Sequence, residues 1–376
     1  GHMKKGVPPQ QIAYLSFTNK AVNTAVSRAM DAFPEYSSED FLRFKTLHTY
    51  CRRYFQEEVF DPKHCTIDFA LQTKIINKFL FRRNLLFQFG SHWRELFKKN
   101  IIVIGLNPRI ISNWTFLILR SPLGLKTYVW GHAWPRKGPN SKTAILRHFM
   151  QRLASGTITY SKAHKKELRI KHPKLCVLNA PNALYSQQQI GELELPTDQV
   201  KNIIYVGRLV VNKKPLFLIK AFHKLIDLDA NLIIVGDGPE RKKIDKYVET
   251  HKLESRVQLL GHINNFNKLK ELYATSLVSV SPGYVGLSIT QSFTFGVPML
   301  ISRNESHSPE IEAAKESSNA IFFQTDNQND FCLKVEEIFK SKKVFLEKRK
   351  LIADQCKKHY TIEQMAGSFF KILRDN

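Results

Sequence analysis

Between residues 197 and 355 the sequence alternates short apolar runs with amphipathic segments, and glycine closes one run after another. "NIIYVG" (202–207) is followed by "RLVVNKK" and then by "PLFLIKAFHKLIDL", which is apolar at helical spacing. "ANLIIVGDG" precedes the helical pattern "PERKKIDKYVETHKL", and "RVQLLG", "NKLKELYATS", "LVSVS", "PMLIS" and "AIFFQ" continue the series. Short apolar runs without polar alternation fit strands covered on both faces. Strand and helix in such alternation predict a doubly wound parallel sheet that holds ligands at the carboxyl ends of its strands.

Residues 67–196 repeat this grammar. "NIIVIGLNPR" (100–109) reads as strand and turn, "SNWTFLILRSPLG" as helix, and "KTYVWGHAW" as strand and loop. "NSKTAILRHFMQRLAS" is a helix opened by an Asn/Ser cap, followed by the strands in "GTITYS" and "KLCVLNAPNAL". A chain of 376 residues can bury two such cores. The expected division is a first domain over 1–195, a second sheet over 196–355, and a C-terminal helix over 356–376 that packs back on the first domain. "YSQQQIGELELPTDQV" is the linker between the sheets.

Charge is the other constraint. Lys and Arg number 57 against 33 Asp and Glu, a formal net charge of +24, and the excess is uneven. No acidic residue occurs between Glu95 and Glu167, while thirteen Lys/Arg do. Such a field attracts polyanions or anionic membrane surfaces, although compositional bias alone also produces a solvated basic face. No apolar run reaches the length of a membrane span, and five scattered cysteines without a C-x-x-C pair suit a reducing compartment. A cytoplasmic location is expected, with peripheral attachment at a membrane as the variant. No phosphate loop of the G-x-x-x-x-G-K-[ST] type is present.

Three strand ends carry the candidate chemistry. After Gly207, Arg208 and Lys213 project from a loop where two cations can clamp a diphosphate, the first as a planar fork and the second as a point charge. In "VGDGPE" (235–240), Gly238 lets the backbone pass close to a ligand and Pro239 suits the first turn of a helix. In "SPGYVGLSITQSFTFGVPMLIS" (281–302), Gly286, Leu287 and Ser288 offer backbone N–H groups at a helix start. Gln291 lies one helical turn beyond Ser288 on the same face.

In that order and spacing, residues 200–325 resemble the donor-binding domain of the retaining family-four glycosyltransferases. The resemblance implies a GT-B fold, two Rossmann-like doubly wound α/β domains facing across a cleft. It implies a nucleoside-diphosphate sugar as co-substrate, UDP-linked first of all, with no metal. "VGRL…K" carries the diphosphate role to Arg208 and Lys213, and "GDGPE" lies near the nucleoside. The family's hallmark is two glutamates separated by seven residues ahead of Gly-x-Pro. Gly283 and Gln291 stand at those positions, with "GVP" (296–298) in register. Gln291 retains an acceptor oxygen for the ribose hydroxyls; Gly283 has nothing with which to touch the sugar. By the same resemblance His132 in "WGHAW" approaches the reacting donor sugar, and Glu310 in "HSPEIEA" contacts the donor. Arg109 and Asn113 in "GLNPRIISNW" are cleft residues. With Arg136 and Lys137, they make the acceptor side.

The implied reaction breaks the bond between the sugar's anomeric carbon and the leaving phosphate, which gathers negative charge. Arg208, Lys213 and the 286–288 amides stabilise that charge, each such donor contributing on the order of 3 kcal/mol. Residues 8–66 are similar instead to a fragment of a phage-type superfamily-one helicase, through "IAYLSFTNKAVNTAVSRAM…FKTLHTYCRRYF". That fragment, lacking a phosphate loop, is expected to serve as an opening β-α unit. Its origin and the acid-free interval point to double-stranded DNA as partner, with a hydroxymethylated pyrimidine flipped out as acceptor. The rival is a glycosyltransferase of lipid-linked glycan or lipopolysaccharide synthesis docked on an anionic membrane. Loss of both glutamates leaves a non-catalytic binding relic as the third reading.

Overall fold

The computed structural model describes residues 14–16, 44–46, 76–81, 84–90, 93–94, 96–98, 100–135, 138–190 and 200–374. They fall in two units, residues 1–78 with 88–95 and residues 79–87 with 96–376. The helicase-like stretch 8–66 lies outside the described residues, except for strands β1 (Tyr14–Ser16) and β2 (Phe44–Thr46), which pair in parallel. Strands β3 (Ile76–Leu80) and β4 (Leu85–Phe89) form a two-stranded sheet. Both large sheets belong to the second unit.

The first of them contains β5 (Ile101–Gly105), β6 (Lys126–Gly131), β7 (Gly156–Thr159) and β8 (Val177–Asn179), parallel and in chain order. Helices α1 (Ile111–Arg120), α2 (Lys142–Leu153) and α3 (Lys162–Lys171) make the crossovers. Each crossover steps one strand in the same direction, so right-handed connections lay all three helices on one face. Val129 packs there with Leu117 and Met150. The next residue, Trp130, turns to the other face by the two-residue strand period. It meets the ring of Phe369 edge-on at 5.1 Å.

The second sheet is β9 (Asn202–Val206), β10 (Asn231–Val235), β11 (Val257–Gly261), β12 (Ser276–Ser281), β13 (Met299–Ser302) and β14 (Ala320–Phe323), all parallel. Its spatial order is β11-β10-β9-β12-β13-β14. The winding direction therefore reverses between β9 and β12, and the carboxyl ends of those two strands flank a crevice. Alternate residues of β9 feed the two layers. Ile203 and Tyr205 pack with α5 (Pro215–His223), α6 (Arg241–Thr250) and α9 (Gln328–Lys340). Ile204 packs with α7 (Phe266–Ala274). Beside it, α8 (Ser288–Thr294) and α10 (Lys342–His359) share a cluster through Ile289, Phe293, Ile352 and Cys356.

Serines inside β12 fit a buried strand because each finds a partner. Ser279 and Ser292 share a hydroxyl contact at 2.7 Å, and Ser276 donates to the Leu272 carbonyl at 2.7 Å. Arg349 of α10 is buried and donates to the Tyr273, Ala274, Ser276 and Phe295 carbonyls, sewing four segments together. Burial lowers its pKa to about 10.

Among the described residues, two stretches connect the sheets. Ser186 leads out of the first sheet into a short helix, α4 (Gln187–Ile190), and α11 (Ile362–Arg374) returns to it. The Glu363 carboxylate accepts from the Gln187 amide at 3.0 and 3.1 Å, so the two passages are bound to each other. The Ser368 hydroxyl donates to the Asn179 carbonyl at the end of β8.

Candidate functional site

The crevice at the β9–β12 switch point collects most of the residues singled out on the C-terminal side. Beyond Gly207 the chain exposes Arg208, makes one 3₁₀ turn over Val211–Lys213, and enters α5 through Lys214 in a left-handed conformation. Lys213 is 9% exposed. Its Nζ donates to the Tyr284 carbonyl at 2.6 Å and sits 3.7 Å from the centre of the Tyr284 ring. Burial, and then the neighbouring Arg208 charge, push its pKa down to about 8, while Glu310 acts in the opposite direction. Among the described residues no carboxylate lies within ion-pair distance of Arg208. Two cations thus crowd one loop with little to neutralise them.

The loop after β12 stands opposite. A β-carbon on Gly283 would lie 2.3 Å from the Asn212 carbonyl oxygen and 2.8 Å from the Lys213 backbone. The position is glycine because the cation loop occupies the space a side chain needs. His307 fixes the next residues: Val285 N donates to its Nδ1 at 3.0 Å, and its Nε2 is 3.0 Å from the Ser302 carbonyl. Hydrogen therefore sits on Nε2, the ring is neutral, and burial holds its pKa below the ordinary value. Ser308 N also donates to the Val285 carbonyl, at 2.9 Å. The amides that follow, of Gly286, Leu287 and Ser288, donate to no protein acceptor among the described residues. The Lys213 ammonium comes within 3.9 Å of where a Gly286 β-carbon would be, so amides and cation converge on one space.

Gln291 is on α8 directly behind those amides. Its Nε2 donates to the Tyr185 hydroxyl at 2.8 Å, which leaves the amide oxygen as the acceptor. Tyr185 packs edge-on against Phe266 at 4.9 Å and Phe295 at 5.9 Å, and burial pushes its pKa up to about 12. At the third strand end, Gly236 has φ +149°, and a β-carbon there would fall 1.8 Å from the Gly207 carbonyl oxygen. Leu209 N donates to the Asp237 carbonyl at 2.9 Å and Glu240 N to the Leu209 carbonyl at 3.0 Å. Gly238 lies between these bonds. Pro239 stands two residues ahead of α6 rather than in its first turn.

The wall from the first sheet brings His132, Arg147, Tyr160 and Asn182. The His132 ring meets Tyr160 at 5.0 Å, and Arg147 Nη1 donates to the His132 and Leu106 carbonyls at 2.8 and 2.9 Å. Glu310, 8% exposed, reaches this wall: its Oε1 accepts from Asn182 Nδ2 at 2.6 Å, and its buried Oε2 has no partner among the described residues. Asn113 is buried and donates to the Gly105 carbonyl at 2.7 Å; Arg109 donates through Nε to the Asn84 carbonyl at 3.0 Å. Asn113 is thus engaged by the end of β5 and Arg109 by the turn that precedes β4. Arg136 and Lys137 lie outside the described residues. Among the described residues no group of three or more His, Cys, Asp and Glu is placed to hold a metal.

Tyr185, Asn182, Tyr284 and His307 were not singled out from sequence. His307 and Tyr284 sit inside motifs whose other members were named. Tyr185 and Asn182 lie over a hundred residues from their side-chain hydrogen-bond partners, and no local pattern marks them.

Residues 187–359 match the family described as Glycosyl transferases group 1. The chain is 28% identical over 38% of its length to an uncharacterised glycosyltransferase, MJ1607, of Methanocaldococcus jannaschii, covering 36% of that protein. It is 29% identical over 30% of its length to the GPI3 subunit of phosphatidylinositol N-acetylglucosaminyltransferase of Saccharomyces cerevisiae, covering 25% of it. The chain thus spans about a third or less of these curated relatives. Among solved structures it resembles Anabaena Alr3699/HepE in complex with UDP, with TM-score 0.59 and 13% identity over 75% of this chain and 80% of that one. A reversed parallel sheet facing a second parallel sheet, matched over most of both chains, is the GT-B fold, and residues 187–359 form a glycosyl transferases group 1 domain on it.

Proposed function

We propose that the chain is a retaining glycosyltransferase that uses a UDP-sugar as donor and an acceptor presented at an anionic membrane surface. One observation carries the donor half. A buried lysine and a neighbouring arginine face, across the switch-point crevice, three backbone amides that donate to no protein acceptor among the described residues. A diphosphate between them would satisfy the amides and relieve the repulsion between the cations. The complex of Alr3699/HepE with UDP supports uridine as the nucleoside.

In the reaction the anomeric C–O bond to the phosphate breaks and its electron pair stays on the diphosphate. Arg208, Lys213 and the 286–288 amides meet that charge, while Gln291 accepts from the ribose hydroxyls. The acceptor hydroxyl adds to the anomeric carbon and passes its proton to the leaving phosphate oxygen, which keeps attack and departure on one face. His132, with its ring against Tyr160, stands on the sugar's side of the crevice.

For the acceptor, the phosphatidylinositol named for the GPI3 relative supports a lipid-linked hydroxyl. A hydroxymethylated pyrimidine in DNA is the second reading, favoured by the acid-free interval between Glu95 and Glu167. The test is UDP release and product mass spectrometry with a panel of UDP-sugars. The acceptors offered are phosphatidylinositol vesicles, lipid-linked glycan and hydroxymethylated DNA. Transfer to a lipid-borne hydroxyl supports the proposal; transfer to DNA alone replaces its acceptor half, and no UDP release with any pair refutes it.

A further inference from the structure

We propose that the outward faces of α2 and α3, side by side on the first sheet, form a docking surface for an anionic lipid bilayer. The two helices join where the His148 ring of α2 stacks on His172 at the end of α3, 3.8 Å apart. Their exposed faces differ in chemistry. Helix α2 turns Ile145, Leu146 and Phe149 to solvent, with Ile145 60% and Phe149 53% exposed. These lie at positions i, i+1 and i+4, an apolar stripe that no other element covers among the described residues.

Helix α3 supplies charge. Lys162, Lys165, Lys166 and Arg169 line a groove of about 310 Å³ together with Ile170, which is 70% exposed. Cations from other elements add to this group. Lys165 is held below its ordinary pKa by burial and then by Arg169, Lys371 of α11 and Lys162. His359, at the end of α10, is depressed by burial, Lys162, Lys358 and Lys315. The acid that reaches α3 from outside, Glu312, already accepts from the Lys162 and Ala163 amides at 3.0 and 2.6 Å.

An apolar row beside a cationic row fits the boundary of an anionic bilayer, where aliphatic side chains enter the acyl region and lysines stay among the headgroups. Duplex DNA rewards the cations but offers nothing to Ile145, Leu146 and Phe149, so the combination favours lipid. The orientation suits the crevice as well. Helix α3 begins two residues after Tyr160, whose ring meets His132, so a bilayer on this face lies near the acceptor side of the site. The inference deepens the acceptor half of the proposed function and is independent of the donor half.

The test needs no sugar nucleotide. The 376-residue chain is floated with phosphatidylcholine vesicles and with the same vesicles carrying phosphatidylglycerol. Three variants are compared: Lys166→Glu with Arg169→Glu, Ile145→Ser with Phe149→Ser, and the charge-matched pair Lys242→Glu with Lys246→Glu on α6. The wild type is expected to float with the anionic vesicles only. The α3 pair should weaken partitioning by about 25-fold or more, at roughly a fivefold loss per basic residue before the added repulsion. The α2 pair should weaken it while leaving binding of a DNA duplex unchanged. Failure of the wild type to float, equal loss in the α6 pair, or an α2 pair that floats like wild type would overturn the proposal. So would an α3 pair that loses duplex binding and keeps vesicle binding.

Discussion

Gln291 donates to the Tyr185 hydroxyl at 2.8 Å, and the backbone carbonyl of the same tyrosine accepts from Ile362 N at 3.1 Å. One residue thereby joins the α8 side chain assigned to the ribose with both passages of the chain between the sheets. It also bears on the missing glutamate. A carboxylate presents an acceptor whichever way it turns, whereas an amide must be oriented, and Tyr185 engages its nitrogen.

Tyr185→Phe is accordingly expected to weaken UDP binding about fivefold, the loss of one net hydrogen bond. Gln291→Glu in the Tyr185→Phe background should restore most of it. With 2′-deoxy-UDP the effect of Tyr185→Phe should shrink. Calorimetric titration of the single and double variants checks all three, and an additive double variant would count against the coupling.

Restoring the other acid should fail. At position 283 a β-carbon meets the Asn212 and Lys213 backbone at 2.3 and 2.8 Å, so Gly283→Glu must push the cation loop aside. The expected cost is about 2 kcal/mol of stability, read from denaturant unfolding, together with loss of UDP binding. A stable Gly283→Glu protein with unimpaired binding would mean that the two loops are not packed in this way.

UDP affinity should fall on both sides of neutral pH. Lys213 has a pKa of about 8 before ligand binds, so affinity drops as pH rises through that value, approaching tenfold per unit. Lys213→Arg should flatten this limb, because a guanidinium keeps its charge. On the acid side, His307 has a folded pKa below its ordinary 6.5. Its neutral ring contributes stability that is complete above 6.5 and is lost as pH falls through the folded value. Protonated Nδ1 can no longer accept from Val285 N, which loosens the amide loop. Calorimetry across pH checks both limbs.

Glu312 closes the N-terminus of α3 from the second sheet. Glu312→Ala should remove about 1–2 kcal/mol of stability, and Glu312→Gln less, because the amide oxygen still accepts from one backbone N–H. Chemical denaturation measures the difference.

The second sheet was legible because its strands are buried on both faces and read as unbroken apolar runs, as in Asn202–Val206 and Asn231–Val235. Gly236 marks a strand end because a β-carbon there would fall on the Gly207 carbonyl oxygen. Their strand order was not legible, since the reversal between β9 and β12 depends on pairings no local pattern records. Arg208 and Lys213 do lie in the loop just after a strand, where the pattern ending at Gly207 put them. Asn113 was marked only by the resemblance of "GLNPRIISNW" to a family turn, and its bond to the Gly105 carbonyl is a contact no local pattern records. Tyr185 and Asn182 were invisible because their meaning lies in contacts across the cleft.

The clamp formed by Arg208 and Lys213 is tested most directly by titrating UDP, with uridine as control, into wild type, Arg208→Ala and Lys213→Ala. Wild type is expected to bind UDP, and each variant to bind it about ten- to a hundredfold more weakly, with any uridine binding unchanged. Equal UDP affinity in all three proteins, or no UDP binding by the wild type, would contradict the clamp.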